Sequence, residues 1–245
     1  WLLFYPFFAR FVAVVGGIAP TSNGTAVDEY LTHFGIPLGL LAAAALWWLI
    51  REGSAWQTSI LRTALFGASA SLAGYCFGHF VFATIPGVAV EFDWLDLLVS
   101  LLVGALAPFA ALALSGGDSG HLELLSGVFL LNATAGLLVA LRPTAGITVV
   151  PCVLLSVAAL RLRQQPALAF VTLAAAAGLW ITLVVDLVLV VDDLFRSPWE
   201  RMNTIFKFYL EAWLLFTVAA GAVTTWLLRS LWQAATEHTP ATLGI

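Results

Sequence analysis

The chain of 245 residues is 61% hydrophobic and only 10% charged, and its formal net charge at pH 7 is −4. Soluble domains carry about 25% charged residues, so a water-soluble fold of this size is excluded, and the lack of a basic tail argues against nucleic acid as a partner. Cys76 and Cys152 lie in apolar runs without a CxxC motif. They predict small buried thiols, with neither a metal site nor a disulfide framework.

The first 15 residues, which begin WLLFYPFFARF, predict either a membrane span that is cut short or a helix in the membrane interface. No basic segment precedes this apolar run, as a signal peptide would require, and the only methionine is Met202. We therefore expect the chain to be the C-terminal part of a larger membrane protein or a processed product. Residues 1–245 are expected to form a single transmembrane helical domain.

Seven stretches of the chain reach the roughly 20 largely apolar residues that a membrane-spanning helix needs. They cover about residues 32–50, 60–85, 94–115, 122–141, 144–160, 166–190 and 204–229. Tryptophans cluster near the ends of these stretches, as an aromatic belt predicts, and Gly74 and Gly78 are spaced to let two helices approach closely. The predicted fold is an all-α polytopic transmembrane helical bundle of about seven spans, plus the N-terminal partial span or interfacial helix.

Alternation of these spans places five arginines on one side of the membrane, namely Arg51, Arg62, Arg161, Arg163 and Arg229. The positive-inside rule assigns that side to the cytoplasm. The opposite side receives as many basic residues, and three of them lie between residues 196 and 207. The cytoplasmic assignment therefore holds only if these three basic residues are set aside because they have a functional role. We predict a multi-pass protein of the cell membrane.

The densest charge in the chain lies in RSPWERMNTIFKFYLEAW, residues 196–213. Ser197, Pro198 and Glu200 form a helix-start signature in which Ser197 is the cap. A helix from Pro198 to Arg229 is predicted, about 48 Å long at 1.5 Å per residue. Because the hydrocarbon layer is only about 30 Å thick, its first two turns are expected at the outer membrane face.

Polar side chains recur along one face of this predicted helix at steps of three and four residues. They are Glu200, Asn203 or Thr204, Lys207 and Glu211, of which the last two are spaced for an ion pair, and they follow the acidic residues Asp186, Asp192 and Asp193. One interpretation is a set of solvated interfacial anchors. The other is an outward-facing polar site for an anionic group, because Arg, Lys and a helix N-terminus all bind phosphate well.

ERMNTIFKFYLEAWLLF, residues 200–216, resembles the signature of the YYY membrane protein family. These are large prokaryotic multi-pass proteins that are grouped with the GT-C superfamily of membrane glycosyltransferases. Residues 5–35, YPFFARFVAVVGGIAPTSNGTAVDEYLTHFG, are similar to an aromatic-rich extracytoplasmic segment of that family. The resemblance implies a polytopic enzyme that uses a polyprenyl-phosphate-linked sugar outside the cytoplasmic membrane, with membrane lipids as its partners and no further cofactor.

The resemblance also implies roles for the charged residues. Arg196, Arg201 and Lys207 are the implied contacts to the donor phosphate. Asp192, Asp193 or Glu200 is the implied acid/base or metal-facing group, with Asn203 and Glu211 of the polar face in support, and no metal site is predicted.

Two other functions stay open. The alternative is a non-catalytic integral membrane subunit, packed against other membrane subunits in a larger complex. It stays open because the key acidic residue that GT-C enzymes usually carry in their first extracytoplasmic loop is not placed in this chain. A transporter would use Asp186 and the Lys207–Glu211 pair, but the internal repeat that transporters often show is not visible.

Overall fold

The computed structural model describes residues 16–21, 24–52, 60–85, 92–115 and 121–237. The predicted N-terminal partial span falls on residues 1–15 and lies outside the described residues. Among the described residues the chain forms seven α-helices and a two-stranded sheet. The helices are α1 (Val27–Glu52), α2 (Ile60–Ala83), α3 (Trp94–Ser115), α4 (His121–Val139), α5 (Pro143–Arg161), α6 (Pro166–Leu187) and α7 (Met202–Glu237). The all-α prediction is confirmed.

Six of these helices are long and apolar enough to cross a membrane. The exception is α4, whose apolar part, Leu124–Val139, is shorter. Sixteen residues rise about 24 Å, which is less than the roughly 30 Å hydrocarbon layer. The count of about seven spans thus corresponds to six full-length helices and one short helix in the described part of the chain.

The helices alternate in direction, so that one end of the bundle collects the starts of α1, α3, α5 and α7 and the ends of α2, α4 and α6. We call this end the site face. Contacts between the helix ends define it: the Tyr75 hydroxyl of α2 donates to the carbonyl of Asp93, just before α3, and Ala145 of α5 contacts Asp186 of α6. The charged segment between α6 and α7 lies at the same face.

Close helix contacts hold α2 against α4. A Cβ atom built on Gly74 would lie 1.9 Å from the carbonyl oxygen of Ala133, and one built on Gly136 would lie 2.2 Å from that of Ser71. Gly78 likewise faces the carbonyl of Leu137 at 2.8 Å. The predicted Gly74–Gly78 contact surface is therefore real, because only glycine lets the two backbones approach this closely.

An aromatic ladder joins α1 to α7 below the site face. Phe34 contacts Tyr30, Tyr209 and Phe216, with ring centroids 5.0 to 5.4 Å apart. All four side chains are buried. Rings at these separations gain more than their buried area alone provides, so the ladder fixes the first turns of α7 relative to α1.

Two short strands, β1 (Gly17–Pro20) and β2 (Val188–Val191), form an antiparallel sheet at the site face. Gly17 pairs with Val191 and Pro20 with Val188. The span predicted over residues 166–190 is wrong at this end, because α6 stops at Leu187 and residues 188–190 belong to β2. The sheet joins the segment that precedes α1 to the segment that follows α6.

The start of the last helix also differs from the prediction. A helix from Pro198 was expected, but α7 begins at Met202, and residues 192–201 form successive turns. The Ser197 hydroxyl accepts from the N–H of Trp199, and the Glu200 carboxylate accepts from the N–H of Arg196. Both side chains thus stabilise a tight turn, in which Arg196 has a φ of 65°, rather than a helix start.

Candidate functional site

The centre of the site face is the carboxylate of Asp186, which is fully buried near the end of α6. Its Oδ1 accepts from the backbone N–H of Thr25 at 2.5 Å, and its Oδ2 accepts from the N–H of Ala145 at 3.2 Å. Ala145 lies in the first turn of α5, where backbone N–H groups have no partner within the helix. The carboxylate therefore caps α5 from a neighbouring helix and complements the positive end of its dipole.

Arg201 supplies the cation for this carboxylate. Its Nη2 lies 3.4 Å from Oδ1 of Asp186, and only 13% of its side chain is exposed. The same nitrogen donates to the Thr25 hydroxyl at 2.9 Å and to the Val185 carbonyl at 3.3 Å. Its Nε is buried without a partner among the described residues. One guanidinium nitrogen thus joins the segment before α1 to the end of α6.

Three threonines and a tyrosine complete this buried network. The Thr25 hydroxyl shares a hydrogen bond with the Tyr209 hydroxyl at 3.0 Å, and the Thr144 hydroxyl donates to the Thr25 carbonyl at 2.7 Å. The Thr21 hydroxyl donates to the Asp186 carbonyl at 2.9 Å. Most polar atoms of this network have a hydrogen-bond partner, so removal of one partner is expected to lower the free energy of unfolding considerably. We call Thr25, Thr144, Asp186, Arg201 and Tyr209 the buried clamp.

Arg142 closes one side of the buried clamp. Its Nη2 donates to the Thr21 carbonyl at 2.6 Å. A Cβ atom built on Gly24 would meet the Arg142 side chain at 3.3 Å and an Asp186 oxygen at 3.4 Å. Two arginines therefore lie close to one buried carboxylate.

A second polar group lies above the buried clamp, in the turns that lead to α7. The Asp192 carboxylate accepts from the Asn203 amide at 2.8 Å and from the N–H of Leu194 at 2.9 Å. The hydrogen bond from Asn203, followed by that from Leu194, lowers the pKa of Asp192 below its ordinary value. The positive charge of Lys207 acts in the same direction, so Asp192 is ionised at neutral pH.

The remaining charged candidates lie at the surface. Asp193, Arg196, Lys207 and Glu211 are exposed, and Glu200 is half-buried. The Arg196 guanidinium lies 5.4 Å from the ring centroid of Phe195. In the described part of the chain no ion pair joins Lys207 to Glu211, the pair that helical spacing predicted.

The eight sequence-predicted residues therefore separate into three groups. Arg201 belongs to the buried clamp, and Asp192 and Asn203 form the second polar group. The other five lie in the turns or on the surface of α7. Thr204, the alternative to Asn203 in the predicted polar face, is buried and accepts a hydrogen bond from the N–H of Val190.

Sequence reasoning missed most of the buried clamp. Asp186 was noted as a neighbour of the charged segment and as an intramembrane ion of a transporter, and Thr25, Thr144 and Tyr209 were not predicted as its partners. Thr25 lies 161 residues from Asp186, and a lone threonine after glycine carries no signal of such a partner. The one available signal was an aspartate inside an apolar span, because an ionisable residue there needs a partner.

An apolar groove opens beside these polar groups. It has a volume of about 300 Å³, and its walls come from α6, both strands and the start of α7. The walls are formed by Ile18, Trp180, Ile181, Val184, Val185, Val188, Leu189, Val190, Thr204 and Phe208. The site face thus combines a buried ionic network, surface charges and an apolar groove. Within the described residues, no three His, Cys, Asp or Glu side chains are grouped so as to hold a metal ion.

Comparison with known families gives one result for this chain. The sequence model of a family described as "Uncharacterized membrane protein (DUF2298)" matches residues 1–216. No curated protein and no solved structure matches the chain. The matched range includes the buried clamp, the turns of residues 192–201 and the first part of α7.

Proposed function

We propose that this chain, which belongs to the DUF2298 family of uncharacterized membrane proteins, acts in sugar transfer from a lipid-linked phosphate. The proposed activity is that of a GT-C-like membrane glycosyltransferase, related to the YYY family, which uses a polyprenyl-phosphate-linked sugar at the extracytoplasmic face of the cell membrane. The site face is then the extracytoplasmic face. Several candidate transmembrane helices support a membrane location.

The observation that carries this proposal is the position of Lys207. Its side chain is exposed, and its neighbours on the surface of α7 are Phe206 and Phe208, which are 75% and 39% exposed. Lys207 lies five residues after the start of α7, about 7.5 Å into the helix. A lysine among apolar side chains at this depth extends its ammonium group to the phosphate level of the bilayer.

Cations at this level fit the chemistry of glycosyl transfer. The phosphate leaving group of the donor gains negative charge in the transition state, and fixed positive charges stabilise it. Lys207 contributes a point charge, and Arg196, in the turn before α7, contributes a planar guanidinium that can make two parallel hydrogen bonds. Arg201 is occupied by Asp186, so we assign it to holding the segment in position.

The acceptor hydroxyl needs a carboxylate that can take its proton. Asp192 is a weak base because its hydrogen bonds lower its pKa. Asp193 is exposed and adjacent, so we assign the base to Asp193, with Glu200, which accepts from the N–H of Arg196, as the second candidate.

The test is sugar transfer by the full chain in vesicles that contain a labelled lipid-linked sugar and a sugar acceptor. We expect transfer by the wild type, and a loss of about tenfold or more in Lys207→Gln and Asp193→Asn, because a hydrogen bond to a charged group contributes about 1.5–3 kcal/mol. Arg229→Gln is the matched control, since Arg229 is exposed on the same helix near its other end. Absence of transfer by the wild type, or equal transfer by all variants, would refute the proposal.

The second candidate function is a non-catalytic integral membrane subunit. The buried clamp favours it, because Asp186 and Arg201 neutralise each other and the clamp serves the architecture without any substrate. A subunit co-purifies with partner chains in a fixed ratio, and its Asp193→Asn variant supports the activity of the complex as well as the wild type does. Sugar transfer by the isolated chain would exclude this function.

A further inference from the structure

The apolar groove runs along the outside of α6, from the sheet at the site face towards the middle of the length of that helix. Its sheet end is formed by Val188, Leu189 and Val190 of β2, and its far end by Trp180. Trp180 precedes the end of α6 by seven residues, which corresponds to about 10 Å along the helix axis. The groove is therefore aligned with a membrane-spanning helix, in the direction in which the chains of membrane lipids run.

The groove is open to the lipid side of the bundle. Trp180 and Val184 of α6 are 43% and 49% exposed, and Phe208 of α7 is 39% exposed. These side chains line the groove and also face outwards. An apolar chain can therefore enter sideways from the bilayer, without crossing the helices.

A cation lies at the sheet end of the groove. Thr204 and Phe208 line it, and Lys207 lies about one turn after Thr204, on the part of the α7 surface next to Thr204 and away from Phe208. The charge of Lys207 acts on Asp192, which follows β2 by one residue. Both oxygens of Asp192 are already bonded to Asn203 and to Leu194, and in the described part of the chain Lys207 makes no ion pair.

We propose that this groove holds the apolar chain of a single-chain lipid phosphate, of which a polyprenyl phosphate is the type, with the phosphate against Lys207. The inference rests on the proposed function and adds where the lipid part of the donor lies. One channel with one cation at its end matches a lipid with one chain and one phosphate. A two-chain phospholipid would leave its second chain outside the groove.

Binding is tested with the full chain in detergent micelles by native mass spectrometry, with undecaprenyl phosphate as the probe. A two-chain phosphatidic acid and inorganic phosphate are the comparison ligands. We expect one undecaprenyl phosphate to bind at least about tenfold more tightly than either comparison ligand. Val184→Trp fills the groove, and Lys207→Gln removes its cation, so each is expected to weaken binding about tenfold.

The matched controls change the same residue types elsewhere. Val218→Trp alters a valine of similar exposure, 53%, which lies ten residues beyond Phe208 on α7, and Arg229→Gln removes a distant cation. Both are expected to bind within about twofold of the wild type, a difference of about 0.4 kcal/mol. Equal binding by Val184→Trp and the wild type, or equal affinity for phosphatidic acid, would overturn the inference.

A photoreactive polyprenyl phosphate tests the same site in the wild type, where no substitution can disturb folding. Labelling of residues 180–190 and 204–208 is expected, and labelling confined to other segments would overturn the inference.

Sugar transfer is measured in parallel. The predicted binding pattern without any transfer leaves the groove assignment intact and refutes the proposed function. Normal transfer by Val184→Trp, together with reduced transfer by Lys207→Gln, refutes the groove assignment and leaves the proposed function intact.

Discussion

Replacement of Arg201 by methionine tests the energetic role of the buried clamp. Methionine keeps an unbranched side chain but removes the cation, so Asp186 is left with two backbone N–H donors and without its ion-pair partner. Asp186 is fully buried, and its distance from Arg201 is 3.4 Å. Removal of one partner of a buried ion pair costs about 3–5 kcal/mol. Because 13% of the Arg201 side chain is exposed, water can partly replace it, and we expect a loss near 3 kcal/mol.

The measurement is the free energy of unfolding in mixed micelles, with increasing amounts of a denaturing detergent. Lys207→Met is the matched control. It removes an exposed cation six residues further along, and surface changes of this kind usually stay within about 0.5 kcal/mol. A loss below about 1 kcal/mol in Arg201→Met would refute the reasoning, because it would mean that Asp186 does not depend on this cation for its stability.

A double variant separates the ion pair from its surroundings. Asp186→Asn removes the charge and leaves one oxygen for the two N–H groups of Thr25 and Ala145. In combination with Arg201→Met, no uncompensated charge remains, so the double loss is expected to fall below the sum of the single losses by about 1–3 kcal/mol. Simple additivity would contradict a direct pair. Lost sugar transfer in an Arg201 variant must therefore be compared with its stability before it is assigned to phosphate binding.

Three further predictions address the packing, the turns and the second polar group. Gly136→Ala would bring a Cβ to 2.2 Å from a carbonyl oxygen of α2, and it is expected to lower the free energy of unfolding by about 1–3 kcal/mol. Gly127→Ala is the control: it has open space around it and should be neutral or slightly stabilising. Equal effects of the two variants would refute the close contact. Arg196→Gly relieves the backbone strain of a non-glycine residue with positive φ, so it should not lower the unfolding temperature. It should slow sugar transfer if the guanidinium binds phosphate. A lower unfolding temperature would show that Arg196 also supports the fold. Because the pKa of Asp192 is lower in the folded state, this residue stabilises the fold at pH values above its ordinary pKa of 3.8. The contribution is lost as the pH falls below 3.8 and passes through the folded-state pKa. Asn203→Ala should therefore raise the pKa of Asp192, measured by carbon NMR of labelled aspartate, and an unchanged pKa would refute the assignment.

The helices could be predicted from the sequence because a membrane requires long apolar segments with internally bonded backbones. Each of the seven predicted stretches overlaps one helix of the structure. Their ends were less predictable. Val188–Val191 is as apolar as the helix before it, and only its partner strand, which lies far away in the sequence, distinguishes it from a further turn of α6.

The polar chemistry was predictable in type but not in arrangement. The charged segment was recognised from composition, and Asp192 does meet Asn203 within it. The Ser197–Glu200 pattern is compatible both with a capping box at a helix start and with a turn, and the local sequence does not decide between the two. The partners of Arg201 lie in segments that precede it by 15 and 176 residues, so no local pattern could identify them.

The pairing of β1 with β2 also has a consequence for biosynthesis. Residues 17–20 leave the ribosome before α1, yet their partners at 188–191 are made only after six helices, α1 to α6, and Asp186 lies near the end of the sixth. The early segment must therefore wait, unpaired, until the sixth helix reaches the membrane. Chains truncated before residue 186 are then expected to expose this segment to membrane proteases and quality control, whereas chains that extend past residue 201 can protect it.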